Sequence, residues 1–114
     1  MSITIREGGE SEARSFYGDL LGLRERDVPP KLDSTRLIWF RVGDPDLELH
    51  VMLVDEPAPG RGHFCLAVDD VAALRRRLEE SGVETSDATK IVGRPRFFCR
   101  DPFGNVLELT TIRE

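Results

Sequence analysis

The stretch "RPRFFCRDPFGNVLELT", residues 94–110, has the pattern of a β-hairpin. An aromatic-rich run ends at Arg100, the turn formers "DPFGN" follow, and an aliphatic run comes next. One acid, Glu108, lies within the second run between two leucines. Because side chains alternate along a strand, Glu108 is expected to face the opposite side of the sheet from Leu107 and Leu109. The hairpin therefore predicts a carboxylate on one face of a sheet.

The first half of the chain repeats features of the second half. The tripeptide "LEL" occurs twice, so that Glu48 precedes Glu108 by 60 residues. Gly22 and Gly82, each expected to end a helix, are also separated by 60 residues. We therefore expect an α+β fold of two tandem βαβββ units within one domain.

The boundaries follow from turn formers and from hydrophobic periodicity. Unit one is expected over about 1–56, a linker over about 57–62, and unit two over about 63–114. Asp69 or Asp70 is expected to cap the second helix. The predicted elements of unit one are strand 2–7, helix 10–22, strand 36–42, the turn "GDPD" at 43–46 and strand 47–54. Those of unit two are strand 63–68, helix 71–81, strand 83–88, strand 94–100 and strand 106–112.

Each unit has one helix, which can cover one face of its sheet. We call the covered side the helix face and the other side the open face, which is expected to form a concave cup or to pack on a partner. Alternation predicts that the helix faces carry Leu47, Leu49, Val51, Leu53, Phe64, Leu66, Val68, Leu107 and Leu109, with Ile3 and Ile5. It predicts that the open faces carry Ser2, Thr4, Glu48, His50, Met52, His63, Cys65, Ala67, Val106, Glu108 and Thr110.

Both histidines of the chain, His50 and His63, thus fall on open faces together with Glu48 and Glu108. Imidazole and carboxylate ligands suit zinc, iron, manganese or nickel, whereas a calcium site would use oxygen ligands alone. The alternative is that these acids are solvated or pair with an arginine such as Arg96. The pattern predicts a metal site or a polar ligand site.

Other side chains are candidates for substrate binding. Arg96 would bind an anionic or carbonyl-bearing ligand if it faces the cup. Its face stays open at this point, because Arg96, Phe98 and Arg100 alternate with Phe97 and Cys99, and phenylalanine occurs in both sets.

Cys65 lies two residues from His63 and is a functional thiol or a small filler. Trp39, Phe98 and Met52 would form an apolar wall for a ligand, or would serve core packing or a dimer contact. Residues 86–95 form a flap or a connecting loop.

Charge and composition exclude several classes of protein. The formal net charge is -5 and the isoelectric point is near 5.1, which argues against a nucleic-acid partner. No run of about 18 apolar residues is present, and "MSITIREGG" lacks the pattern of a signal peptide, so we expect a cytoplasmic protein without a membrane span. Two cysteines are too few for a disulfide scaffold or a structural zinc site.

Four segments resemble the glyoxalase, bleomycin-resistance and extradiol-dioxygenase superfamily, also called vicinal oxygen chelate proteins. They are "SFYGDLLGLRE" (15–25), "WFRVGD" (39–44), "HFCLAVDDVAALRRRLEESGVE" (63–84) and "GRPRFFCRDPFGNVLELT" (93–110). The resemblance covers nearly the whole chain. It implies the glyoxalase/bleomycin resistance/dihydroxybiphenyl dioxygenase fold, a cupped mixed sheet with one helix per unit on its outer face. Small members are usually homodimers.

The resemblance also implies a metal site and its ligands. Carried over by position, they are His63, Glu108 and either Glu48 or His50, with Ser2 standing where the family usually has His or Gln. The implied function is a divalent-metal-dependent lyase or dioxygenase that acts on a small oxygen-bearing substrate, with Glu108 or Glu48 as a catalytic acid or base. The alternative is a metal-free protein that binds a small molecule or an antibiotic.

Overall fold

The computed structural model describes residues 1–56 and 63–111, without the side chains of 44–46. The predicted linker, 57–62, lies outside the described residues. The chain divides into two compact units, Met1–Pro59 and Gly60–Glu114. In the described residues no helix is long and apolar enough to cross a membrane.

Unit one is a four-stranded mixed sheet with one helix. Its elements are β1 (Ser2–Arg6), α1 (Glu10–Ala13) continued by a π-helix (Arg14–Leu20), β2 (Arg24–Arg26), β3 (Leu37–Val42) and β4 (Asp44–Val54). The strand order is β1-β4-β3-β2, in which β1 is parallel to β4 and the other pairs are antiparallel.

Unit two repeats this topology. Its elements are β5 (His63–Ala67), α2 (Val71–Glu80), β6 (Thr85–Asp87), β7 (Arg96–Arg100) and β8 (Val106–Thr110). The strand order is β5-β8-β7-β6, again with the first strand parallel to the last. The α+β class and the two tandem βαβββ units are therefore confirmed.

The first helix differs from the regular amphipathic helix that periodicity predicts. From Arg14 it widens, and the amide of Leu21 donates to the Phe16 carbonyl five residues earlier at 3.0 Å. The widened turn directs two consecutive aromatic side chains, Phe16 and Tyr17, into the core. Their rings meet edge to face at 4.9 Å, and Tyr17 reaches Phe40 of β3. Gly22 ends the element at φ +75°, a conformation that glycine adopts readily.

The second helix begins and ends as predicted. The Asp70 carboxylate accepts a hydrogen bond from the amide of Ala73 at 3.0 Å, which caps the first turn. Gly82 follows the last turn at φ +85°. Leu78 is fully buried, and Arg75 reaches from the helix to Thr85 and Asp87 of β6.

Three details of unit one correct the sequence prediction. Leu47 was expected on the helix face, but it is 56% exposed, whereas Leu49 and Val51 are fully buried. The turn expected over 43–46 is shorter, because β4 already begins at Asp44 and Gly43 alone has a positive φ. The short strand β2 was not predicted, since Arg24–Arg26 has no apolar residue to mark it.

The turn "DPFGN" closes the β7–β8 hairpin through Asp101, which is 5% exposed. Its carboxylate accepts from the amides of Phe103 and Asn105 at 2.9 and 2.8 Å, and from the Asn105 side chain at 2.8 Å. Gly104 has φ +89°. These bonds fix the length of the turn and hence the register of β8 against β7.

Candidate functional site

Glu108 occupies the centre of the unit-two sheet. Its strand neighbours in register are Cys65 on β5 and Phe98 on β7. Leu107 and Leu109 are fully buried on the helix face, as alternation predicts. The Glu108 side chain is 11% exposed, so its carboxylate requires polar partners.

Three side chains supply those partners. His63 Nε2 lies 3.1 Å from Glu108 Oε1, and Arg96 Nη1 donates to the same oxygen at 3.3 Å. The Cys65 thiol donates to Oε2 at 3.5 Å. Phe98 meets the His63 ring edge to face at 5.1 Å and also lies beneath the Arg96 guanidinium at 5.8 Å. Unit two thus collects a histidine, an acid, an arginine, a thiol and an aromatic ring.

The structure decides which face of β7 carries Arg96. Phe97 and Cys99 are buried, so Arg96 and Phe98 share the open face with Glu108. Arg96 also donates from Nη2 to the Thr89 carbonyl at 2.9 Å. Its Nε is buried, and no described atom accepts a hydrogen bond from it.

The two thiols have different environments. Cys65 is exposed on the open face and Cys99 is buried on the helix face; both are free. Burial, and then the negative charge of Glu108, raise the pKa of the Cys65 thiol, although Arg94 and Arg96 oppose the rise. Burial raises the pKa of Cys99 to about 12. Both are therefore protonated near neutral pH, so that Cys65 is a weak nucleophile.

Unit one carries a similar group around Glu48. Arg26 Nη1 lies 2.5 Å from Glu48 Oε2, and His50 Nε2 lies 3.2 Å from Glu48 Oε1. The indole of Trp39 stacks on the His50 ring, with centroids 3.8 Å apart and planes 3° apart. As with Arg96, the Nε atom of Arg26 is buried without a described acceptor, and so is Trp39 Nε1.

Arg26 was missed by sequence reasoning. It belongs to the short strand β2, and the register pairs it with Trp39, which in turn pairs with His50. Ser2 of β1 pairs with the other side of His50. One row across the four strands therefore reads Ser2, His50, Trp39 and Arg26. The sequence signal was weak, because Arg26 lies four residues after the helix-ending Gly22, in the charged run "RER" at 24–26.

Strand pairing also changes which residue corresponds to Glu108. Ser2 of β1 corresponds to His63 of β5, because each is the first residue of its strand and each lies 15 residues before a fully buried helix residue, Tyr17 and Leu78, respectively. Glu108 pairs with the residue two after His63, and Met52 pairs with the residue two after Ser2. In the strand register of unit one, the residue equivalent to Glu108 is therefore Met52 and not Glu48.

Each histidine–glutamate pair has a spacing that fits two neighbouring ligands of one metal ion. Metal–ligand bonds of about 2.0–2.2 Å, at angles between octahedral and tetrahedral, separate the two donor atoms by about 2.8–3.6 Å. The measured separations are 3.1 Å for His63–Glu108 and 3.2 Å for His50–Glu48. In the described part of the chain no group of three or more His, Cys, Asp or Glu side chains is placed to hold a metal ion.

A family model described as Glyoxalase/Bleomycin resistance protein/Dioxygenase superfamily matches residues 3–109. The chain belongs to this superfamily. The resemblance of the four sequence segments is thereby confirmed. A comparison with curated proteins finds no significant match.

Solved structures of superfamily proteins share the fold. A proposed glyoxalase family protein from Bacillus anthracis is 29% identical, with a TM-score of 0.88 over 98% of this chain and 91% of that one. A glyoxalase/dioxygenase from Nostoc punctiforme is 20% identical, with a TM-score of 0.75 over 99% and 90% of the two chains. The lactoylglutathione lyase from Agrobacterium tumefaciens is 22% identical, with a TM-score of 0.68 over 97% and 91%.

Proposed function

We propose that this superfamily member is a divalent-metal-dependent enzyme, a lyase or a dioxygenase, that acts on a small oxygen-bearing substrate. The observation that carries the proposal is the 3.1 Å separation of His63 Nε2 and Glu108 Oε1. A neutral imidazole and a carboxylate at this spacing suit zinc, iron, manganese or nickel. Glu48 or His50, as the family resemblance implies, would supply a third ligand.

His50 is the better candidate for that third ligand. The Glu48 carboxylate is paired with Arg26 at 2.5 Å, a shorter contact than the 3.3 Å between Arg96 and Glu108, whereas the described contacts of the His50 ring are Glu48 and Trp39. Ser2 is a poor ligand for these metals, because a neutral hydroxyl competes weakly with imidazole and carboxylate. Glu48, left outside the metal shell, is the proposed general base.

When bound, the metal would supply a Lewis acid that polarises a substrate oxygen. The chain's own residues then orient the substrate and move its proton. Arg96, whose Nη1 donates to Glu108, is proposed to donate to a substrate oxygen that gains negative charge during the reaction. Phe98, Met52 and Trp39 are proposed to give apolar contact to the substrate, and Cys65 is proposed to line the site as a neutral thiol.

A second candidate function is favoured by a specific observation. Each acid already has an arginine partner, Arg96 for Glu108 and Arg26 for Glu48, so neither carboxylate requires a metal to balance its charge. With serine in the first-strand position, the superfamily's metal-free mode is the alternative. The protein would then bind a small molecule, such as an antibiotic, without turning it over.

Metal binding tests the proposal. The protein is purified without an affinity tag, its metal content is measured, and titrations with Zn²⁺, Ni²⁺, Mn²⁺ and Fe²⁺ follow by calorimetry. We expect about one metal ion per chain, and a loss of at least about tenfold in affinity for His63→Ala and Glu108→Gln. Thr85→Ala, on the edge strand β6, is the matched control and should leave the affinity unchanged.

Two results would contradict the proposal: no binding of any of the four metals, or binding that survives both substitutions. His50→Ala and Glu48→Gln then decide the third ligand, since the variant that weakens binding identifies it. We also propose, from the family resemblance, that the protein is a homodimer; light scattering at micromolar concentration checks this, and a monomer mass would contradict it.

A further inference from the structure

Arg96 is in contact with two parts of unit two that are otherwise distant in the chain. Its Nη1 donates to Glu108 Oε1 at 3.3 Å, and its Nη2 donates to the Thr89 carbonyl at 2.9 Å. The side chain is 17% exposed and packs over Phe98. A planar guanidinium holds its donors in fixed directions, so a shift of one contact moves the other.

Thr89 belongs to the segment 88–95, which joins β6 to β7. Its far end is fixed independently of Arg96. The Pro95 carbonyl accepts from the Thr110 hydroxyl at the end of β8 at 3.1 Å and from the amide of the next residue, Thr111, at 3.2 Å. Within the segment, the Arg94 amide donates to the Ile91 carbonyl at 3.1 Å. The near end is attached at Thr89 through Arg96.

The segment covers one side of a cavity of about 720 Å³, whose other side is the first turn of α2. Val92 is fully exposed and Ile91 is 47% exposed. Among the described residues, the Arg96 bond to Thr89 is the side-chain hydrogen bond that attaches the near end of this exposed segment, and an exposed end with so few bonds opens at low free-energy cost. Its position therefore depends on whether Arg96 stays in place.

A cation on Glu108 competes with Arg96 for the same oxygen. A metal about 2 Å from Oε1 would stand close to a guanidinium nitrogen that is 3.3 Å from that atom, and the like charges repel. The guanidinium has to move away for the metal to bind. Its hydrogen bond to the Thr89 carbonyl is then lost or weakened.

We propose that Arg96 is a positioning residue that couples the occupancy of Glu108 to the closure of the segment 88–95. When Glu108 is free of a cation, Arg96 bridges it to Thr89 and the segment is closed; when a cation binds, Arg96 leaves and the segment opens over the cavity. The coupling has two parts. The displacement of Arg96 by a metal ion, which we call the metal half, rests on the proposed function, whereas the link from Glu108 through Arg96 to Thr89 does not.

Hydrogen exchange of the metal-free protein tests that link directly. In Glu108→Gln, Arg96 loses its charged partner, and we expect amides of 88–94, including the bonded amide of Arg94, to exchange at least about threefold faster. Arg96→Met should give the same increase, while Arg96→Lys should restore protection in part. Unchanged exchange in Glu108→Gln and Arg96→Met would overturn the coupling, whether or not the protein binds metal.

The metal half is measured by calorimetry and by the same exchange experiment. Arg96→Met should bind metal about tenfold more tightly than the wild type, a coupling within the ordinary range for linked sites. Metal should speed exchange of 88–94 in the wild type but leave Arg96→Met unchanged. Arg76→Met removes the same charge from an exposed side chain on α2, outside the segment 88–95 and away from the contacts of Glu108, and it should behave as the wild type does.

The two proposals fail in different ways. A wild type that binds no metal contradicts the proposed enzyme, and the coupling is then judged by the exchange of metal-free Glu108→Gln. A wild type that binds metal without any change in exchange of 88–94 contradicts the coupling alone. Tighter binding by Arg96→Met together with metal-dependent exchange in the wild type supports both.

Discussion

The indole of Trp39 lies flat on the imidazole of His50, with ring centroids 3.8 Å apart and planes 3° apart. Their strands are neighbours, and the two residues are partners in register. Trp39 is the one tryptophan of the 114-residue sequence. Its fluorescence is therefore a direct report on the side chain that we propose as the third metal ligand.

Binding of Ni²⁺ or Cu²⁺ at His50 is expected to quench Trp39 fluorescence strongly, because a paramagnetic ion would be held within a few ångströms of the indole. The quenching should saturate with the same affinity that calorimetry gives. His50→Gln keeps a planar polar side chain but removes the metal donor, and it should lose most of the quenching. Quenching that is equal in wild type and His50→Gln would place the metal away from His50.

Cys65 is expected to react slowly with iodoacetamide near neutral pH. Burial and the Glu108 charge raise the pKa of this thiol above its ordinary value, so the reactive thiolate is scarce and the rate keeps rising as pH increases through the alkaline range. In Glu108→Gln the negative charge is absent, the pKa falls, and alkylation at a fixed pH of about 8 should be several-fold faster. The rates are measured by mass spectrometry of the Cys65 peptide.

Cys99 provides the internal control for that measurement. It is 3% exposed and its pKa is about 12, so it should stay unlabelled in the folded protein. Cys65→Ser should therefore abolish labelling under native conditions. An equal or slower alkylation rate in Glu108→Gln would contradict the role given to the Glu108 charge.

Asp101→Ala is expected to lower the free energy of unfolding by about 2–3 kcal/mol, because each buried donor left without its acceptor costs about 1–3 kcal/mol. The substitution leaves the amides of Phe103 and Asn105 without the carboxylate that accepts from them. The measurement is urea unfolding followed by circular dichroism. Asp69→Ala, at an exposed position, is the control and should change stability by no more than about 0.5 kcal/mol. An Asp101→Ala protein as stable as that control would contradict the account of the turn.

Strand alternation alone predicted much of the site. It placed His63, Cys65 and Glu108 on one face and Leu107 and Leu109 on the other, and the structure brings the first three into contact. This succeeded because the strands of unit two are short and regular, with an unbroken period of two residues. The two ends of α2 could also be predicted from the sequence, because Asp70 and Gly82 each act on the helix turn next to them.

Features that depend on tertiary context could not be read in the same way. Phenylalanine occurs in both alternating sets of β7, so periodicity left open which face carries Arg96. The π-helix at Arg14–Leu20 keeps nearly the same apolar spacing as an α-helix and gives little sequence signal. The "LEL" repeat suggested that Glu48 corresponds to Glu108, but repeat spacing ignores register, and pairing shows that Met52 takes that place.

The number of residues in the turn from Asp101 to Asn105 limits which insertions this protein can tolerate. Because the period of a strand is two residues, one inserted residue that shifted β8 by one position would exchange its faces. Glu108 would enter the core, and a leucine would stand beside His63 and Arg96. Insertions of one residue here would therefore remove the polar site and the core together. We expect lineages of this fold to vary the side chains around the hairpin while they keep the number of residues in its turn.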